Sequence, residues 1–220
     1  NRHAFKPYAI YGIIDAQRLT MKRYQTLIFD LGNVMIDFSP YTLVSAYTND
    51  VQGIQVLVNE IFIKQEWLDL DQGIMTLDEA KRRILDRLDL AYHELALNIL
   101  DTWYEHLSER PYFPDLLKEL KGMGYRLVLF SNAATCFYDY QDRIEALKYF
   151  DHIIISADLK LSKPDPAFYQ MACARAGIDP KSAFFIDDSM ANVQAAQAFG
   201  IDAFWYNGNF DRLVDYFARI

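Results

Sequence analysis

The chain has 220 residues, 52% of them hydrophobic and 24% charged, and a formal net charge of -8. That length suits one domain, or one domain with a sizeable insertion, and is enough to bury a proper core. The acidic balance excludes nucleic acid, whose phosphates demand a basic face, and no apolar run nears the roughly 20 residues of a membrane span.

From the N-terminus, Asn1 to Thr20 lacks the basic-then-apolar layout of a signal peptide, since Asp15 and Arg18 cut short its only apolar stretch. It reads as an extension, with Met21 as a possible natural start. The first strong strand, Thr26–Asp30, is apolar and runs directly into an aspartate. From Phe38 to Glu109 no strong strand follows, and helical patterns fill the interval. Thr76 with Glu79 reads as a capping box, with Ala80, Ile84 and Leu88 on one face behind it. Leu95, Ile99 and Trp103 repeat the helical spacing.

Beyond residue 110 the pattern becomes regular. "FPDLLKELKGMG" (Phe113–Gly124) is a helix, Arg126–Ser131 a strand, and His152–Ser156 another. "DPAFYQMACARAGI" (Asp165–Ile178) opens with an acid cap and a proline at the first helical position. Ala183–Asp187 is a strand, "MANVQAAQAFG" (Met190–Gly200) a helix stopped by glycine, and Ala203–Tyr206 the last strand, before an Asn-Gly turn. Continuous apolarity marks strands covered on both faces. The fold class is therefore α/β: a Rossmann-like parallel sheet core, residues 21–37 and 110–220, with an inserted all-helical cap at 38–109.

In such a sheet, ligands gather beyond the carboxyl ends of the strands. There the sequence places Asp30, Ser131 with Asn132, and the pair Asp187-Asp188, while Lys163 stands in "KLSKPDP" on a loop entering a helix. Carboxylates from two strands repel unless a cation lies between them, and an oxygen-rich site completed by water and phosphate suits Mg²⁺. Asp30 is then placed to attack phosphorus, with Lys163 and the Ser131 turn balancing charge on the phosphoryl oxygens. Cys136 and Cys173 have no metal or disulfide spacing, and His3, His93, His106 and His152 form no cluster. A zinc site is not expected, and a reducing cytoplasm is.

Four motifs in order, "FDLGNV", "FSN", "SKPDP" and "FFIDDSMANVQAA", resemble those of the haloacid dehalogenase-like superfamily, in the branch with a helical cap inserted after the first motif. The resemblance spans about Tyr24 to Gly208. It implies that Asp30 is the nucleophile and that Gly32 lends a backbone carbonyl to the metal. It further implies that Ser131 and Asn132 hold phosphate, that Lys163 balances charge, and that Asp188 is a direct metal ligand with Asp187 supporting it.

One departure matters. Most phosphatases of this superfamily carry a second aspartate two residues after the nucleophile, as general acid and base, and here that place is Gly32. General acid-base help is worth roughly 10²–10⁴-fold. Either another group substitutes, such as Asn33 orienting water or a residue of the cap, or the leaving group scarcely needs a proton, or the chain binds without turnover. The "FDLGNV" form is similar to that of phosphatases acting on sugar 1-phosphates, which share the glycine. The expected ligand is a small phosphorylated metabolite, with a sugar phosphate favoured, and the expected state a monomer or weak homodimer. Trp67, Trp103 and Tyr104 are candidates to line a sugar pocket, although aromatics at helical spacing are more often core. Removal of halide from 2-haloacids, a non-catalytic sugar-phosphate sensor and a phosphomutase are the competing readings. The first has no use for the two acids after the fourth strand, and the last relies on the missing aspartate.

Overall fold

A computed structural model describes residues 23–217; the N-terminal extension and Met21 lie outside them. The strands, in chain order, are β1 (Thr26–Phe29), β2 (Ile36–Asp37), β3 (Ser108–Glu109), β4 (Arg126–Ser131), β5 (His152–Ile155), β6 (Ala183–Asp187) and β7 (Asp202–Trp205). Five of them form one parallel sheet in the order β5-β4-β1-β6-β7. All five strands read from the sequence are present, the last displaced by one residue.

Side chains alternate across this sheet into two apolar clusters. Leu27, Phe29, Leu127, Leu129, Phe184 and Ile186 enter one. Ile28, Val128, Phe130 and Phe185 enter the other, against Phe168, Tyr169, Ala172 and Ala196 of the helices Pro166–Ala176 and Met190–Phe199. Both faces are covered, which is why the strands read as unbroken apolar runs.

The interval after β1 is helical, as its spacing predicts, with strand pairing only at its margins. There β2 and β3 pair antiparallel, Ile36 opposite Glu109, and bring entry and exit side by side. Ile54, Leu57, Ile61, Ile84, Ile99 and Trp103 of this insertion belong to the same cluster as Leu27 and Phe29. At Leu77–Arg87 the Thr76 hydroxyl accepts from the Glu79 N–H, but the Glu79 carboxylate pairs with Arg83 rather than completing the capping box. Ala80 and Ile84 are fully buried, as the periodicity predicts.

The end of helix Gln65–Asp71 is fastened to the segment after β5. Ser156 Oγ donates to the Asp71 carbonyl, Gln72 Nε2 to the Lys160 carbonyl at 3.0 Å, and Lys160 Nζ to the Gly73 carbonyl. Gly73 has φ +69°, and a Cβ there would stand 2.5 Å from the Ala157 carbonyl oxygen. This position therefore needs glycine for its backbone angle and for the close approach.

Gly177, at φ +60°, has open space around its Cβ position, so it isolates the backbone penalty alone. Gly73→Ala is expected to cost more than Gly177→Ala, for which left-handed strain alone accounts for about 1–3 kcal/mol. Urea unfolding of the two variants measures the difference; equal costs would show that this turn is not clamped.

Candidate active site

The sheet order explains how the site assembles. β1 lies between β4 and β6, so Asp30, Ser131 and Asp187 end three adjacent strands. The Asp30 N–H donates to the Ile186 carbonyl at 2.9 Å, continuing the ladder up to the carboxylate. Asp30, Ser131, Lys163 and Asp187 are all buried, and Asp187 is entirely so.

Lys163 is the hub. Its ammonium lies 2.8 Å from Asp30 Oδ1 and donates to Asp187 Oδ2 at 2.7 Å and to the Phe130 carbonyl at 2.9 Å. Three N–H donors meet three acceptors, so the buried cation is fully satisfied. Burial works against its charge, but Asp187 and Asp30 outweigh that and hold its pKa above the ordinary lysine value. The loop is set by Asn132: Oδ1 accepts from the Lys163 N–H at 2.9 Å, and Nδ2 donates to the Lys163 carbonyl at 2.9 Å. Asn132, expected to hold phosphate, thus spends its amide on positioning Lys163, although it also lines the cavity.

Asp187 also accepts from the Ser189 N–H at 2.8 Å and from Asn192 Nδ2 at 3.0 and 3.1 Å. Protein donors therefore occupy much of its acceptor capacity, as suits a supporting group. Ser189 caps the helix Met190–Phe199, and Asn192 in its first turn reaches back to the strand end. Asp188 accepts from the Asn33 side chain; burial and the Asp187 carboxylate hold its pKa up. Asn33 is the residue in the left-handed region, at φ 53°, and its Oδ1 accepts from the Phe38 N–H at 3.1 Å. Its amide is thus engaged on both sides and stands outside the cavity wall. The backbone demand after Asp30 falls on Asn33, and a Cβ at Gly32 would meet nothing within 4 Å.

Carboxylate oxygens of Asp30, Asp187 and Asp188 lie within 4.8 Å of one another. Set against one ammonium they leave an excess of negative charge, a donor set that fits a hard divalent cation. The Asp30 carboxyl is pushed up to about 7 by burial, with Lys163 pulling the other way and Asp187 adding to the rise.

A cavity of about 120 Å³ opens over Asp30. Its floor is Asp30, Leu31, Gly32, Ser131, Asn132, Lys163 and Asn192; its walls are Ile36, Phe38, Trp67, Asp71, Trp103, Tyr140, Ala133 and Ala134. Trp67 and Trp103 both face it, while packing together at 5.3 Å between ring centroids, and Tyr104 instead stacks on Tyr140 at 5.4 Å. His93 bonds the Leu88 carbonyl and His106 packs on Tyr47, so neither reaches the cavity. Among the lining residues that escape sequence reasoning are Asn192, visible only as the residue one helical turn past an acid pair, and Asp71, one acid among many in the insertion. Burial pushes the Asp71 carboxyl up to about 8, against hydrogen bonds from the Ala134 N–H and the Trp67 indole.

A carboxyl that binds its proton more tightly folded than unfolded stabilises the fold below its unfolded value, and that stability is lost as pH rises through its folded value. Asp30 and Asp71 both have this sign. In buffer containing a chelator, the midpoint of thermal unfolding is expected to fall between pH 5 and pH 8, and Asp71→Asn to flatten the upper part of that fall. A wild-type midpoint rising across this range would contradict the raised carboxyls.

Residues 24–200 match the family of haloacid dehalogenase-like hydrolases. The chain is 26% identical over 179 residues to a sesquiterpene phosphatase of Aspergillus oryzae, covering 81% of this chain and 87% of that protein. It is 26% identical over 204 residues to an (S)-2-haloacid dehalogenase of Pseudomonas fluorescens, covering 88% and 90%. Its fold is shared with a HAD family enzyme of Bacteroides thetaiotaomicron solved with magnesium and inorganic phosphate, at TM-score 0.69 and 24% identity, covering 86% and 98%. With a matched segment that contains all four motifs and the whole carboxylate-lysine cluster, the chain belongs to the haloacid dehalogenase-like hydrolases.

Proposed function

We propose that the chain is a Mg²⁺-dependent phosphatase of the cytoplasm, hydrolysing a small phosphorylated metabolite through an aspartyl-phosphate on Asp30. One observation carries this reading: three carboxylates have oxygens within 4.8 Å of one another beside a cavity, and only two of them, Asp30 and Asp187, pair with the Lys163 ammonium. Asp30, Asp188 and the Gly32 carbonyl would hold the ion, with Asp187 behind them. When bound, the ion supplies positive charge that lets an anionic phosphate approach and that stabilises the phosphoryl oxygens.

This chain's own groups do the rest. An Asp30 oxygen attacks phosphorus, forming one P–O bond as the ester P–O bond breaks. Lys163 keeps Asp30 oriented and balances charge, its place secured by Asn132 and Asp187. Ser131, at the end of β4, offers a hydroxyl on the cavity floor. Water then cleaves the acyl phosphate and returns Asp30. The helical insertion acts as the cap, since Trp67, Asp71 and Trp103 close the cavity from its side. Aromatic walls suit the flat, weakly polar face of a sugar ring, and the similarity to a phosphatase of a fungal terpenoid also supports an apolar leaving group.

Asp30→Asn is expected to abolish phosphate release in a screen of phosphorylated metabolites, and removal of divalent ions to silence the wild type. Turnover by Asp30→Asn would refute the nucleophile. Activity that survives chelation and releases halide from 2-chloropropionate would instead establish the dehalogenase reading.

A further inference from the structure

We propose that Asp71 is the proton donor to the leaving group and the base that activates water, in place of the aspartate missing at Gly32. The inference rests on the phosphatase reading above.

An ester oxygen leaving phosphorus carries off the bonding electrons and needs a proton unless it is already acidic. The titratable groups lining the cavity are Asp30, Asp71, Tyr140 and Lys163. Asp30 is committed to phosphorus, and each N–H of Lys163 already has an acceptor. Burial drives the Tyr140 phenol far above its ordinary value, so it gives up its proton poorly. Asp71 remains. It closes helix Gln65–Asp71 and lines the cavity from the insertion, next to the segments that follow β4 and β5.

The placement of Asp71 is built rather than incidental. Its carboxyl accepts from the Ala134 N–H and the Trp67 indole, so two acceptor sites are fixed and others remain for a proton. Its own carbonyl accepts from Ser156 Oγ, and Gly73 two residues on permits the backbone contact with Ala157 that holds the turn down. On the same helix Glu66 is buried against Arg87, at 2.5 Å. Asp71 stands outside the cluster Asp30, Asp187 and Asp188, so an ion there does not claim it.

The groups facing Asp71 leave it without a cationic partner. Cys136, pushed up to about 12 by burial, and Tyr140 come from the segment after β4; both are neutral. Ser156 comes from the segment after β5, and the nearby Lys160 ammonium is spent on the Gly73 carbonyl. Burial therefore dominates, and the carboxyl keeps its proton up to about 8.

In the first step the Asp71 carboxyl gives its proton to the ester oxygen as that P–O bond breaks and the Asp30–P bond forms. The alcohol leaves, and Asp71 is a carboxylate. In the second step it takes a proton from water as the water oxygen bonds to phosphorus and the Asp30–P bond breaks. Phosphate leaves with both aspartates restored, and the net change is one water consumed per ester.

The test compares two esters of the same ring, phenyl phosphate and 4-nitrophenyl phosphate, whose nitrophenolate departs with little help. Asp71→Asn is expected to lower kcat/KM by about 10²-fold or more for phenyl phosphate and by less than about tenfold for 4-nitrophenyl phosphate. The ratio between substrates does not depend on how much of the variant folds. Should the variant not fold, wild-type pH profiles decide: kcat/KM for phenyl phosphate should fall as pH passes about 8, a limb weak or absent for 4-nitrophenyl phosphate. Equal losses on the two esters, or superimposable pH profiles, overturn the role of Asp71 and leave the phosphatase reading standing. No release from either ester by the wild type overturns both.

Discussion

The buried ammonium of Lys163 is the interaction on which the site depends. An isolated buried charge costs several kcal/mol, and removing one partner of a buried pair typically costs about 3–5 kcal/mol. Here the cation is tolerated because Asp30, Asp187 and the Phe130 carbonyl surround it. The same contact brings two strand-end carboxylates together that would otherwise repel. A third, on Asp188, leaves the cluster negative overall, a donor set whose excess charge suits a divalent ion.

The parallel sheet makes this possible at little conformational cost. With β1 in the centre, the last residues of β4 and β6 and the residue just past β1 come together at one sheet edge. The crossovers bring the rest: the loop before helix Pro166–Ala176 carries Lys163, and the start of helix Met190–Phe199 carries Asn192. The insertion is no loose appendage, because its apolar side chains share a cluster with one face of the sheet. From this insertion Trp67, Asp71 and Trp103 reach the cavity.

Much of this was legible in the sequence. The strands and the flanking helices follow from runs such as Leu27–Phe29 and from stops such as Gly177 and Gly200. The residues at strand ends were legible because topology, rather than packing detail, decides where they go. The finer assignments were not. Asn132 and Asn33 look like ligand-binding amides, yet one clips the Lys163 backbone and the other joins Phe38 to Asp188. Asp71 was hidden because its depth depends on how helix Gln65–Asp71 docks, which no periodicity records. Its one local trace is Gly73, whose left-handed backbone marks the docking turn. Gly32 is also open to a side chain, so the missing aspartate is not a matter of space.

The most direct measurement is calorimetric titration of the wild type and of Asp188→Asn with Mg²⁺ at neutral pH. Strand ends gathered around one ion predict a single saturable site per chain, lost in Asp188→Asn. Absence of saturable binding by the wild type, or undiminished binding by the variant, would contradict it.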